Sequence, residues 1–270
     1  PRMVSPHPQS LLARIALTGR VAVVTGAAMG LGSAIARELG GLGARVALVD
    51  VSETGAALMA QTLSQAGSVA MGVSCDVSDL AQVEESVRRI EDAWGTIDVL
   101  VNCAGVASAA GQPYTRCLAS DWRRTLDVNL MGAVHWSGAV REHLLASVAG
   151  RIINISSVTG VISAPYMPAY SVSKAALISL SKVLARDLAP SAVTVNAVCP
   201  GYIRTPMWGE LSRRGATDDG DIFDERVRTH VPMQRPQTAE DVAACVGFLA
   251  SDLACNITGH VIGVDGGVTI

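Results

Sequence analysis

Two residues with the types and spacing needed for proton transfer are Tyr170 and Lys174, in the segment AYSVSK. Residues at i and i+4 share one face of a helix, so a helical segment would place this phenol beside this ammonium. A free phenol has a pKa of about 10 and exchanges protons poorly at neutral pH, but a nearby cation favours the phenolate. The pair suits a general acid/base, although the same spacing also occurs by chance on solvated helix faces.

A cluster of glycines lies in TGAAMGLG, from Thr25 to Gly32, directly after an apolar run. Glycine lets the backbone turn tightly and approach a pyrophosphate, and the start of a following helix offers N–H groups to the phosphates. On its own, the cluster is equally typical of a plain strand-to-helix turn.

Asp50 stands at the carboxyl end of the next apolar run, ARVALVD. A carboxylate there accepts hydrogen bonds from both hydroxyls of an adenosine ribose and repels a 2′-phosphate. The neighbouring Met29 and Val51 carry no positive charge that could bind that phosphate, so the pattern favours NAD over NADP. Asp50 could also serve only as a negative charge ahead of the helix cap Ser52, and the two interpretations are compatible.

The elements that position these residues are apolar, β-branched runs alternating with segments of helical periodicity. The predicted strands are residues 20–25, 44–50, 68–77, 97–105, 151–157 and 192–201. The first predicted helix runs from the glycine cluster to Leu42, and the others span residues 52–67, 78–94, 121–147 and 168–188. Strands that are apolar on both faces indicate a parallel sheet covered by helices on each side. We therefore predict an α/β fold, a single-domain doubly wound parallel sheet of Rossmann-like type. Residues 1–18 are predicted to be a mobile extension and residues 19–270 the domain.

Composition excludes several classes of function. The chain has 270 residues, 49% hydrophobic and 17% charged, with a formal net charge of −3 and scattered basic residues. We therefore expect a small-molecule substrate, with neither nucleic acid nor membrane as a partner. No apolar run reaches the roughly 18 residues needed to cross a bilayer. Six dispersed cysteines without a CxxC pair favour reduced thiols and the cytoplasm. His135, His143 and His260 lack ligand-spaced partners, so no metal site is expected.

Several motifs, in the same order along the chain, resemble those of the short-chain dehydrogenases/reductases with a TGxxxGxG signature. TGAAMGLG is similar to the family's phosphate turn, CDV (75–77) to its adenine-side motif, and NCAG (102–105) to its NNAG motif with Cys103 replacing one asparagine. NISS followed by YSVSK resembles the catalytic serine and the YxxxK motif. CPGYIRT (199–205) resembles the PG motif near the nicotinamide carboxamide. The resemblance extends from about Gly19 to residue 270.

The resemblance implies a catalytic role for four residues. Tyr170 is the expected proton donor or acceptor for the substrate oxygen, and Ser157 is expected to hydrogen-bond that same oxygen. Lys174 is expected to bind the nicotinamide ribose and to lower the Tyr170 pKa. Asn129 is expected to position a water that links Lys174 to a proton relay.

The resemblance also implies a set of cofactor-binding residues. The phosphate turn comprises Gly26, Met29, Gly30, Leu31 and Gly32; Asp50 binds the ribose, Asp76 and Val77 lie near the adenine, and Asn102, Ala104, Tyr170, Lys174, Ile203 and Thr205 line the rest of the cleft. The implied cofactor is NAD.

Three functions are compatible with these patterns. The favoured one is an NAD-dependent oxidoreductase that interconverts a secondary alcohol and a ketone. An NADPH-dependent ketoacyl-type reductase is disfavoured by Asp50 and by Met29, where such reductases often carry a basic residue. A non-catalytic dinucleotide-binding regulator is disfavoured because all four catalytic-type residues are present. A hydrolase is disfavoured because no histidine or acid is placed to activate Ser157.

The substrate region is only outlined by the sequence. Residues 207–236 are polar and irregular, and similar proteins use this region as a lid, although a simple helical excursion is an alternative. Met207 and Trp208 at its start are expected to face the pocket. Val158, Val161, Ile162 and Pro165 near Ser157 favour a hydrophobic or cyclic alcohol or ketone, unless they belong to the core.

Assembly and surface positions are also predicted. Related proteins usually form homotetramers through the long helices flanking RIINISS and the strand HVIGVDGG, so a homotetramer is expected, although the same apolar positions would also cover the sheet. Arg123 and Arg124 are expected on an exposed face. Trp122 and Trp136 are expected to pack the long helix or a subunit contact.

Overall fold

A seven-stranded parallel sheet forms the centre of the computed structural model, which describes residues 10–206, 208–209 and 219–270. The strand order is β3-β2-β1-β4-β5-β6-β7, and all neighbouring strands run parallel. The strands are β1 Val21–Thr25, β2 Arg45–Asp50, β3 Val69–Ser74, β4 Val99–Asn102, β5 Arg151–Ile155, β6 Thr194–Pro200 and β7 Val261–Val264. This architecture confirms the predicted α/β fold, a doubly wound sheet in a single domain.

Helices cover both faces of this sheet. In the described residues the helices are α1 Leu11–Ile15, α2 Gly30–Gly41, α3 Glu53–Gln65, α4 Leu80–Trp94, α5 Ala119–Leu126, α6 Gly132–Ala139, α7 Arg141–Ala146, α8 Thr159–Ile162, α9 Pro168–Leu188, α10 Asp219–His230 and α11 Ala239–Ala250. Local signals fix several helix starts. The Ser52 hydroxyl accepts the Gly55 N–H at the start of α3, and Pro168 occupies the first turn of α9.

The sheet separates two hydrophobic clusters. Along β1, Ala22 and Val24 belong to the cluster beneath α2 and α11, whereas Val21 and Val23 belong to the cluster beneath α4, α6 and α9. Successive side chains of a strand point to opposite faces, so a strand buried on both sides must be apolar throughout. None of the described helices is long and apolar enough to cross a membrane.

The helix predicted over 121–147 is interrupted in the structure. A π-helical turn, Asp127–Met131, joins α5 to α6, and α7 begins after Val140. The interruption places the Asn129 side chain against the loop after β4, because its amide bonds to Val106 of that loop. A side-chain contact between distant segments therefore sets this feature, which helical periodicity does not encode.

The packed domain begins earlier than the sequence predicted. Residues 1–9 of the predicted extension lie outside the described residues, but the Ser10 side chain caps α1. Leu17 is fully buried, and its N–H donates to the Leu42 carbonyl at 2.7 Å. The predicted extension over 1–18 is therefore too long at its carboxyl end. In the predicted lid, residues 207 and 210–218 lie outside the described residues.

Candidate active site

A cleft of about 930 Å³ lies at the carboxyl ends of the strands. It is lined by the β1–α2 turn, by the ends of β2, β4, β5 and β6, and by residues of α9 and α10. The strand order reverses between β1 and β4, which is where ligands bind in open α/β sheets. Its volume is within the range of roughly 300–1,000 Å³ typical of ligand pockets.

Tyr170 and Ser157 face each other in this cleft. Tyr170 lies in the first turn of α9, and Ser157 follows β5. The Ser157 hydroxyl hydrogen-bonds the phenol and accepts the Thr159 N–H at 3.1 Å. Burial raises the pKa of Tyr170 to about 12, and the Ser157 hydrogen bond offsets part of that rise. The phenol is therefore a protonated donor over the whole neutral range.

Lys174 lies one turn further along α9 and is also buried. Its Nζ donates to the Ile155 carbonyl at 2.7 Å and lies 5.5 Å from the Tyr170 ring centroid. Burial lowers the pKa of Lys174 to about 8. The structure thus brings the phenol and the amine together as the sequence predicted, but the Tyr170 pKa is not lowered, because desolvation outweighs the hydrogen bond from Ser157.

Asn129 joins the loop after β4 to α9. Its Nδ2 donates to the Val106 carbonyl at 2.9 Å and to Ser173 Oγ at 3.0 Å, and its Oδ1 accepts the Val106 N–H at 2.8 Å. Asn129 itself does not line the large cleft. These bonds fix the backbone of the loop after β4. That loop lies close to Lys174, because a Cβ added to Gly105 would lie 3.5 Å from Lys174 Nζ.

The glycine turn has the shape that an anionic group requires. Gly26 and Gly30 have φ values of 66° and 56°, which favour glycine, and a Cβ on Gly26 would lie 2.8 Å from Ala104 Cα. A Cβ on Gly32 would collide with the Gly26 carbonyl. The residue before α2, Met29, gives no side-chain cap to the helix. The start of α2 therefore presents its amides and the positive end of its dipole, which fits a pyrophosphate.

Asp50 lies at the edge of the same cleft, at the end of β2. One carboxylate oxygen accepts the Ala28 N–H at 3.0 Å, and the other accepts the Ser52 N–H at 3.0 Å. These two bonds fix the carboxylate while leaving lone pairs for further donors. This position is compatible with both interpretations of Asp50, because the residue lines the cleft and precedes the α3 cap.

The structure does not bring every predicted cofactor residue into the large cleft. Gly26, Met29, Gly30, Leu31, Gly32, Asp50, Tyr170, Lys174, Ile203 and Thr205 line it, whereas Asp76, Val77, Asn102 and Ala104 do not. Val77, Asn102, Ala104 and Asn129 instead surround a separate cavity of about 10 Å³. The Asp76 carboxylate accepts from the Ser78 hydroxyl at 2.6 Å, which lowers the pKa of Asp76.

Several residues of the cleft were not predicted from the sequence. Arg124, predicted on an exposed face, is exposed but reaches the cleft 3.8 Å from Asp76. Arg226 and His230 of α10 also line the cleft, as does Tyr202 after β6. No local sequence signal separates these residues from surface residues, because their direction depends on how α5 and α10 pack. Trp208 lines the cleft as predicted, and Met207 lies outside the described residues.

Comparison with known proteins identifies the family. A family model described as "Enoyl-(Acyl carrier protein) reductase" matches residues 26–269. Oxidoreductase UcpA of Salmonella typhimurium is 36% identical over 255 residues, covering 94% of this chain and 96% of the relative. The 3-oxoacyl-[acyl-carrier-protein] reductase of Synechocystis sp. is 36% identical over 258 residues, covering 94% and 99%. A solved gluconate 5-dehydrogenase from Burkholderia cenocepacia, in complex with NADP and tartrate, has a TM-score of 0.88 and 33% identity, covering 96% of this chain and 99% of that one.

The chain belongs to the short-chain dehydrogenase/reductase family, as its motifs predicted. It is an oxidoreductase that acts on CH–OH groups, and its family binds a nicotinamide dinucleotide.

Proposed function

We propose that this protein is an NAD-dependent oxidoreductase that interconverts a secondary alcohol and a ketone, with Tyr170 as the general acid/base. The observation that supports this most strongly is the buried contact of Tyr170 with Ser157, beside Lys174, in a cleft that also contains the glycine turn. A proton donor, a second hydrogen-bonding group and a phosphate cradle then share one cavity. Tyr170, Ser157, Lys174 and Asn129 are the proposed catalytic set.

In the direction of reduction, Tyr170 protonates the substrate oxygen, and Ser157 hydrogen-bonds that oxygen and holds it in place. A bound nicotinamide would donate the hydride in reduction and accept it in oxidation. The raised pKa of Tyr170 suits reduction, because the phenol carries its proton at neutral pH. Oxidation requires the phenolate, which the nearby Lys174 ammonium favours by charge attraction. Asn129 keeps the loop after β4 fixed against α9, and we propose that it also positions the relay water.

Asp50 supports NAD over NADP. Its carboxylate faces the cleft at the end of β2, where it would bind ribose hydroxyls and repel a 2′-phosphate. Met29, beside the phosphate turn, carries no charge. We propose that Leu31, Ile203 and Thr205 complete the walls of the cofactor site.

A second candidate is an NADPH-dependent ketoacyl-type reductase. The Synechocystis relative carries the name of such an enzyme, and the related gluconate 5-dehydrogenase holds NADP. Arg124 is a cation at the cleft that could face a 2′-phosphate. Asp50 and the pairing of Arg124 with Asp76 disfavour this candidate.

The walls of the cleft support a hydrophobic or cyclic substrate. Val158, Ile162 and Pro165 line the cleft as predicted, whereas Val161 does not and is exposed. We propose that α10 forms part of the lid, because Arg226 and His230 line the cleft.

We further propose a homotetramer. We also propose a cytoplasmic location, on the basis of six free cysteines.

The test is a screen of purified protein with NAD and, separately, with NADP against cyclic, aliphatic and steroidal secondary alcohols and the matching ketones with NADH and NADPH. We expect turnover with the NAD couple on one chemical group. Turnover with only the NADP couple would favour the ketoacyl-type reductase. No turnover together with NAD-induced stabilisation would favour the non-catalytic regulator.

A further inference from the structure

Arg226 places a positive charge in the cleft near the catalytic residues. Helix α10 packs against the domain through the buried Phe223 and Val227, and Val231, directly after the helix, is buried in the same cluster. Arg226 is adjacent to this buried face, so the residue is half-buried and lines the cleft. His230, one turn further along the helix, lines the same cleft.

The Arg226 guanidinium is oriented by an aromatic ring and not by a carboxylate. Its central carbon lies 4.6 Å from the centroid of the Tyr166 ring. Among the side chains that the structure describes, no carboxylate lies within ion-pairing distance of Arg226, whereas Arg204 pairs with Asp224 at 2.6 Å. Stacking on a ring uses the face of the guanidinium, so the N–H groups that do not bond the Tyr202 hydroxyl stay available to a planar acceptor.

Tyr202 and His230 lie next to Arg226, and the His230 Nδ1 is 3.2 Å from the Arg226 carbonyl oxygen. The Tyr202 hydroxyl interacts with Tyr166 and Arg226, and the Tyr202 ring centroid lies 6.2 Å from that of His230. Burial raises the pKa of Tyr202, so its hydroxyl stays protonated and keeps its hydrogen bonds with Tyr166 and Arg226. The group formed by Tyr166, Tyr202, Arg226 and His230 is here termed the cationic corner, and the Arg226 guanidinium is its charged donor.

The cationic corner connects directly to the reacting centre. Tyr166 and Tyr170 pack against the same small cluster of Ala110, Ala164 and Met167. A compound that reaches the Tyr170 hydroxyl can therefore also reach the guanidinium above Tyr166, along a wall that is mostly apolar.

We propose that the substrate is a hydroxy acid or keto acid whose carboxylate binds Arg226 in the cationic corner. The inference rests on the proposed function, because it names the substrate class of that same site. A guanidinium in a partly dry cleft binds a carboxylate through two parallel charge-assisted hydrogen bonds. The apolar wall accommodates the carbon skeleton between the carboxylate and the reacting carbon.

The test compares three keto acids with their methyl esters, which lack the charge. The probes are levulinate, 3-oxocyclohexanecarboxylate and 4-acetylbenzoate, each assayed with NADH. We expect at least one acid to exceed its ester in kcat/KM by about tenfold or more. Arg226→Met should remove that advantage, chiefly through a KM about 10- to 100-fold higher for the acid, and should leave the ester nearly unchanged. Arg226→Lys should restore part of the advantage.

The matched control is Arg228→Met, because Arg228 is exposed on the same helix and does not line the cleft. This variant should keep the preference for the acid. Equal rates for acid and ester in all three wild-type pairs would overturn the proposal. An equal loss for acid and ester in Arg226→Met would also overturn it.

A binding measurement separates failure of this inference from failure of the proposed function. The melting temperature of NADH-loaded protein is measured in the presence of cyclohexanecarboxylate and, separately, of cyclohexanecarboxamide. If no ketone is reduced with either cofactor, the proposed function fails. If the protein is nevertheless stabilised by the carboxylate but not by the amide, and Arg226→Met loses that stabilisation, this result would still support an anionic ligand. Equal stabilisation by the acid and the amide refutes the cationic corner even if neutral ketones are reduced.

Discussion

At the proposed catalytic position, burial acts on a phenol and an amine in opposite directions. Desolvation disfavours the charged form of each group, so it raises the pKa of Tyr170 to about 12 and lowers that of Lys174 to about 8. The sequence predicts the pairing correctly from the i, i+4 spacing. The direction of the Tyr170 shift could not be predicted, because it depends on how completely the surrounding loops exclude water.

The lowered Lys174 pKa predicts a dependence of stability on pH. Below a pH of about 8, Lys174 is charged in both the folded and the unfolded state, and the burial penalty is complete. As the pH rises towards the unfolded value of 10.5, folded Lys174 becomes neutral while unfolded Lys174 stays charged, so the penalty shrinks. The melting temperature of the wild type should therefore rise relative to Lys174→Met between about pH 7 and about pH 9.5.

The control for this measurement is Lys182→Met, since Lys182 is exposed on the same helix. Its melting difference from the wild type should stay constant over the same pH interval. A constant difference for Lys174→Met as well would show that Lys174 is not desolvated.

Asp50 should determine cofactor preference. We expect Asp50→Ala to lower the ratio of kcat/KM for NAD to that for NADP by about tenfold or more, because two hydrogen bonds to a charged acceptor and one repulsion are lost. Glu53→Ala is the control, as Glu53 is an exposed carboxylate at the start of α3. An unchanged ratio in Asp50→Ala would remove the ribose assignment.

At the level of elements, helices with local signals were predicted most accurately. The predicted helix over 168–188 has the observed bounds of α9, and α3 begins after Ser52 as predicted. The helix over 121–147 was predicted without its π turn, because that turn depends on the bonds from Asn129 to Val106 and Ser173. The element that positions Arg226 was predicted only as part of a possible lid.

The β1–α2 turn should fail when its third glycine gains a side chain. In Gly32→Ala, the new Cβ would collide with the Gly26 carbonyl, so the turn must open. We expect loss of NAD binding, measured by titration of cofactor fluorescence, together with a lower melting temperature.

Gly41→Ala is the matched control in the same helix. Gly41 is exposed at the end of α2, and an added Cβ meets nothing within 4 Å. This change should stabilise the protein by about 0.5–1 kcal/mol and leave NAD binding intact. Normal NAD binding by Gly32→Ala would contradict the proposed role of the turn.

For the whole molecule, alternation of strands and helices was enough to predict the parallel sheet. The residues of the cleft come from segments far apart in the chain, such as Asp50, Ser157 and Arg226. Asp50 was predicted from its place at the end of the second strand, and Ser157 from a family motif. Arg226 belongs to no motif and is brought to the cleft only by the packing of α10.

Assembly is a prediction at this scale. Helix α9 exposes Val172 and Val183, and the π turn exposes Met131. Burial of these apolar side chains between subunits would favour association. We expect light scattering to give a mass four times that of one chain. A single species with the mass of one chain would rule out the homotetramer.

The central claim is that the Tyr170 hydroxyl transfers the proton. The most direct measurement is kcat/KM of Tyr170→Phe on the substrate identified by the screen, with NAD affinity measured in parallel. The control is Tyr114→Phe, because Tyr114 is exposed. We predict a loss of about 10²- to 10⁴-fold in Tyr170→Phe with NAD affinity nearly unchanged, because only the hydroxyl is removed. Activity close to that of the wild type would contradict the proposed mechanism.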